Sequence, residues 1–112
     1  MASYLILISS APGTKNSERA LSLAEGVKQD GNSITLFFIQ DGVRAAVNTG
    51  AVQESTLLNK LIDSGVICYV HDEDLMLRGF ERGLLLPKVA LVGYNELVEL
   101  MAAESVSTLG AF

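Results

Sequence analysis

The sequence predicts a three-layer α/β/α sandwich built on a mainly parallel five-stranded sheet, on three observations. Apolar runs such as Tyr4–Ile8 and Leu36–Ile39 are unbroken, which suits strands covered on both faces and not half-solvated ones. Segments of helical spacing alternate with those runs. The connections between them are short and rich in turn formers, and a strand–helix alternation of that kind closes as an open parallel sheet.

Tyr4–Ile8 is the first expected strand, followed by a loop of turn formers, Ser9–Asn16. From Ser17 to Asp30 the period becomes helical. Ala20, Leu23, Ala24 and Val27 share one face, Glu18, Glu25 and Lys28 point away, Asn16 or Ser17 caps the start, and Gly31 ends the helix. Ser33–Ile39 is the second strand. It stops at Asp41-Gly42, a turn in which Asp41 is able to bond nearby backbone N–H groups and Gly42 is free to take positive φ. Val43–Val47 fits one or two helical turns, broken by Asn48-Thr49-Gly50. A second helix runs from Gln53 to Asp63 with Leu57, Leu58, Leu61 and Ile62 as its stripe, and Gly65 follows its end.

Val66–Val70 is the third strand. Asp72 is expected to cap a short helix whose first-turn carboxylates suit the positive end of the dipole, and that helix stops near Arg78-Gly79. Phe80–Leu86 has no clear period; its apolar cluster is expected to build a subunit interface, or else to fold back over the core. Lys88–Val92 is the fourth strand, Asn95–Ala103 a helix with Leu97, Leu100 and Met101 inward, and Val106–Leu109 a short fifth strand.

At 112 residues the chain is expected to form one domain spanning residues 1–112, and a domain of that length buries roughly 65% of its unfolded surface. Apolar residues make up 49% and charged ones 19%, a globular and not a disordered balance. A mean hydropathy of +0.36 favours burial beyond the monomer, in an oligomer or partner interface. The net charge is −5 and the eight basic residues are scattered, which disfavours direct nucleic-acid binding. Tyr4–Ile8 is too short for a signal-peptide core, and no run approaches the roughly 20 apolar residues of a membrane span. A cytoplasmic protein, away from the membrane, is expected.

Candidate chemistry gathers where the strands end, the edge at which open α/β sheets collect ligands. Asp41 can orient a ligand or act as a base, and Ser9 and Ser10 end the first strand beside it. His71 ends the third strand, where it can serve as acid, base or ligand to a small anion. Arg78 can neutralise an anionic sulfur or a partner carboxylate. Each has a plainer reading: Asp41 as a cap, His71 as a junction residue, Arg78 as a favourable charge at a helix end. Cys68, the sole cysteine, can carry sulfur if its thiol is reachable and deprotonated, and is otherwise a small buried hydrophobe. One histidine and one cysteine supply neither a two-histidine nor a cysteine zinc site. The first loop lacks both GxxxxGK[ST] and GxGxxG, so no nucleotide or other cofactor is expected.

Three segments in the same order carry a resemblance to a known family: Ser17-Glu18-Arg19-Ala20, Phe37-Phe38-Ile39-Gln40-Asp41-Gly42-Val43, and Arg78-Gly79. With the chain's size and its final Phe112, they make it similar to the DsrE/DsrF-like family over nearly its whole length. The resemblance implies a five-stranded parallel α/β fold, homo- or hetero-oligomers, and membership of a group whose best-understood members pass sulfur through a persulfide. It also implies a carrier cysteine seven residues before the Arg of the Arg-Gly pair. Here that position holds His71, while Cys68 lies ten residues before Arg78.

Two functions follow. The first is a sulfur-relay carrier, with Cys68 and His71 at the reacting centre, Ser9, Ser10, Asp41 and Arg78 around it, and a sulfur donor or acceptor protein as partner. The alternative is a non-catalytic structural or regulatory subunit, assembled with itself or with paralogous subunits, that binds a partner or small ligand at the strand ends. A serine hydrolase using Ser9 or Ser10 with His71 lacks a nucleophile-elbow motif and is set aside.

Overall fold

A computed structural model describes residues 2–47 and 52–112. The elements are β1 (Ser3–Ile8), α1 (Lys15–Gln29), β2 (Ser33–Phe38), a 3-10 helix (Gln40–Ala46), α2 (Val52–Asp63), β3 (Ile67–His71), α3 (Asp72–Leu77), a 3-10 turn (Arg82–Leu84), β4 (Ala90–Val92), α4 (Tyr94–Ala102) and β5 (Val106–Ala111). The break expected at Asn48-Thr49-Gly50 lies outside the described residues.

All five strands are parallel, in the order β4-β3-β2-β1-β5. The first three crossovers step one way across the sheet, and the last returns from one edge to the other. Because such crossovers are right-handed, α1 and α2 fall on one face and α4 on the opposite one.

Side-chain alternation confirms the two faces. Ile6, Ile8, Leu36, Phe38, Cys68 and Val70 pack with the buried residues of α1 and α2, whereas Leu5 and Phe37 pack with Leu97 of α4. That is why the strand sequences read as unbroken apolar runs. Neighbouring residues serve different layers of the core.

Several local expectations shift. Thr14, not Asn16 or Ser17, caps α1, accepting from the Ser17 N–H at 3.3 Å. Leu21 is fully buried on α1, whereas Leu23 is only partly covered. On α4, Met101 is exposed and not inward, and Leu97 alone is buried.

Gly42 is needed for a reason other than positive φ. The left-handed residue of that turn is Gln40, at φ 50°. At Gly42 a Cβ would collide with the Ile8 carbonyl, because the 3-10 helix passes directly over the end of β1. Gly79, by contrast, does take positive φ (79°) and lets the chain reverse after α3.

Phe80–Leu86 folds back onto its own core. Leu86 donates to the Ala46 carbonyl at 2.9 Å, Leu85 bridges Val47, and the Arg44 guanidinium lies 5.5 Å over the Phe80 ring. Only Leu84 of the apolar cluster is exposed, so the segment closes the core beside the 3-10 helix in place of presenting a broad apolar face.

Gly42→Ala is expected to lower the unfolding free energy by about 1–3 kcal/mol or more, since backbone and not a flexible side chain blocks the added methyl. Urea denaturation would show it as a fall in midpoint at unchanged m-value.

Candidate functional site

The carboxyl ends of β2 and β3 are joined by side chains from three elements. Asp41 comes from the 3-10 helix, His71 ends β3, and Asp74 and Arg78 project from α3 and its C-terminus. The spacing explains the convergence. Residues 71, 74 and 78 are separated by three and four positions, so they share one face of the turn they form.

Asp74 lies at the centre, with a side chain 12% exposed. Its Oδ2 accepts the Gln40 N–H at 2.7 Å and lies 3.1 Å from His71 Nδ1. Arg78 NH1 donates to the Asp74 backbone carbonyl at 3.2 Å and stands 3.9 Å from Oδ1. The same guanidinium reaches across to Asp41, with Nε donating to Oδ1 at 2.9 Å. That hydrogen bond holds the Asp41 carboxyl below its ordinary value against an opposing cost of desolvation, with the positive charges of Arg78 and Arg44 adding smaller contributions in the same direction as the bond.

His71 is 1% exposed and its ring stacks on Tyr94, centroids 3.8 Å apart and tilted by 31°. Its Nδ1 also lies 3.4 Å from the Asp74 N–H, but one nitrogen serves only one of these partners at a time. The Asp74 N–H donates to Nδ1, and through that nitrogen His71 caps α3. His71 thus stands where Asp72 was expected to cap; Asp72 instead accepts the adjacent Glu73 N–H at 2.7 Å.

The remaining candidates stand apart from this network. Ser9 lies against the 3-10 helix, with its Cα 3.4 Å from where a Cβ of residue 42 would sit. Ser10 Oγ is buried and, among the described residues, has no hydrogen-bond partner. Cys68 is 2% exposed, in mid-strand, paired in register with Leu36 and directed into the core beneath α1 and α2. Burial pushes its thiol up to about 12. It therefore lacks both properties expected of a carrier, access and deprotonation. Among the described residues, no three His, Cys, Asp or Glu side chains are grouped to hold a metal ion.

Two members of the cluster were missed by sequence reasoning. Asp74 was legible in principle: it lies three residues after His71 and four before Arg78, the spacing of one helix face. Tyr94 carried no local signal, because only the return of the chain through β4 brings it to His71.

A family model described as DsrH like protein matches residues 12–107. The chain belongs to the DsrH-like family. That places it among the relatives of the DsrE/DsrF-like proteins it resembles and narrows the resemblance to one kind of member. The DsrH-like chain is also similar to the crystal structure of the ychN protein from E. coli, at TM-score 0.84 and 21% identity, covering 97% of this chain and 100% of that one. A protein of unknown function from Methanobacterium thermoautotrophicum superposes at TM-score 0.77 and 18% identity, covering 98% and 99% of the two chains. At such identities these likenesses establish the five-stranded fold. No curated protein matches the chain.

Asp74→Ala is expected to cost about 1–3 kcal/mol, because it leaves the Gln40 N–H without its acceptor; chemical denaturation measures it. Arg78→Ala should let the Asp41 pKa rise toward its ordinary 3.8, visible in an NMR titration of the side-chain carboxyl. Since the folded value is the depressed one, the stabilisation from this pair is present at neutral pH. It is lost as pH falls through that lowered value.

Proposed function

We propose that this DsrH-like chain is a non-carrier subunit of a sulfur-relay assembly, held beside DsrE/DsrF-type subunits that supply the reactive thiol. The observation that carries this reading is the placement of the only cysteine. A persulfide carrier attacks and is attacked at sulfur, so its thiolate must meet a donor and then an acceptor. Cys68 is enclosed between the sheet and the α1–α2 layer, with its thiol held protonated.

At the strand end, where the family resemblance implies the carrier, His71 is tied to Asp74 and covered by Tyr94. The chemistry available there is hydrogen bonding and charge, not sulfur nucleophilicity. Arg78, with its guanidinium divided between Asp41 and Asp74, makes the cluster a structural tie as much as a binding edge. Family membership supports association with paralogous subunits, and a chain without an accessible thiol contributes to such an assembly by shape and docking.

Intact-mass analysis after incubation with a sulfane-sulfur donor tests the reading. The native chain should gain no sulfur under conditions that load a known carrier, and alkylation of Cys68 should be slow and accelerate only on unfolding. Cys68→Ala should still associate with DsrE/DsrF-type subunits. A one-sulfur adduct on the folded chain, abolished by Cys68→Ala, would overturn the proposal in favour of a carrier.

A further inference from the structure

We infer that the α4 face of the sheet docks a partner subunit presenting an apolar strip bordered by lysine or arginine. This rests on the subunit reading above and adds where the partner sits and what chemistry it brings. The topology is the starting point: α1 and α2 share one face of the five-stranded sheet, and α4 alone crosses the other. One helix buries only Leu97 there, and it leaves Tyr94, Val98 and Met101 exposed by 53%, 63% and 50%. Those three residues lie at i, i+4 and i+7, a single stripe along the helix. An aligned stripe of that kind is distinct from singly scattered surface hydrophobes.

Across the helix from that stripe, Glu96 and Glu99 occupy the other flank of α4, and the charges of this part of the chain have one sign. From Val89 to Phe112 there is no Lys or Arg, while Glu96, Glu99 and Glu104 all fall in that stretch. On the flank of α4 turned toward β3 and β4, an open groove of about 250 Å³ is lined by Tyr69, Val92 and Leu100 with Glu96 and Glu99. Glu96 commits Oε2 to the Gly93 N–H at 3.0 Å, and neither carboxylate has an ion-pair partner among the described residues.

An apolar floor with two carboxylates at its edge suits a lysine or arginine. The methylene stem lies on the ring and aliphatic carbons, and the charged head meets the acids. A second copy of this chain docked through the same face would be isologous and would bring an acidic surface against itself, the arrangement that charge selection rejects. The charge therefore selects a different, basic-faced subunit. Tyr94 belongs both to the stripe and to the His71 stack, so the docked partner also covers the approach to the Asp74 cluster.

The test is to titrate DsrE/DsrF-type subunits into the full chain by calorimetry, with light scattering of each species alone. Val98→Asp and the charge reversal Glu99→Lys should each weaken binding by about tenfold or more, as removal of interface anchors does. Both positions are exposed, so thermal melting of the free chain should not move. Raising salt should weaken the wild-type complex and leave Glu99→Lys less sensitive. Unchanged affinity in both variants would overturn the inference while leaving the subunit reading intact. Absence of wild-type binding to any such subunit would overturn the subunit reading and, with it, this inference. A wild-type homodimer broken by Val98→Asp would assign the face to a second copy and overturn the basic partner.

Discussion

The carboxylate of Asp74 is the junction on which the carboxyl edge of the sheet depends. It receives the N–H of Gln40 at the point where the chain leaves β2 in a left-handed conformation, and it faces His71 at the point where the chain leaves β3. Without an acceptor there, the Gln40 N–H would be a partly buried donor with no partner, an arrangement folded proteins avoid. A carboxylate taken largely out of water also needs compensation. Arg78 supplies it from one helical turn away, and by extending to Asp41 it ties α3 to the 3-10 helix as well.

That 3-10 helix is in turn held by steric fit. Its passage over the Ile8 carbonyl leaves no room for a side chain at residue 42, and the Ala46 carbonyl then receives the Leu86 N–H. The segment from Gln40 to Val47 thus links β1, β2, α3 and the Phe80–Leu86 connection. Each neighbour restricts it from a different side. Apolar residues that look, in sequence, like an interface are drawn into this closure, with Leu84 the exception.

The two faces of the sheet have different characters. The α1–α2 side is a closed core that encloses Cys68, and its depth suppresses thiolate chemistry. The α4 side is only partly covered, apolar along one helix stripe, and acidic without local cations. The only thiol thus lies inside one layer, while apolar side chains of α4 stay uncovered on the other.

By itself the sequence determined the strand–helix alternation, the parallel sheet and the placing of Asp41, His71 and Arg78 at strand and helix ends. Those features are local: unbroken apolar runs, helical periods and turn residues act over a few positions. Only the tertiary structure decided which residues converge. The sequence marks Gly42 as a turn glycine but not as a residue pressed against Ile8. It lists Asp74 as one acid among three but does not show that Gln40 waits for it across 34 positions. Cys68 and His71, three residues apart, end up on opposite faces of one strand, the first in the core and the second against Tyr94. The side-chain alternation of β3 separates them, and strand order determines which helix covers each face.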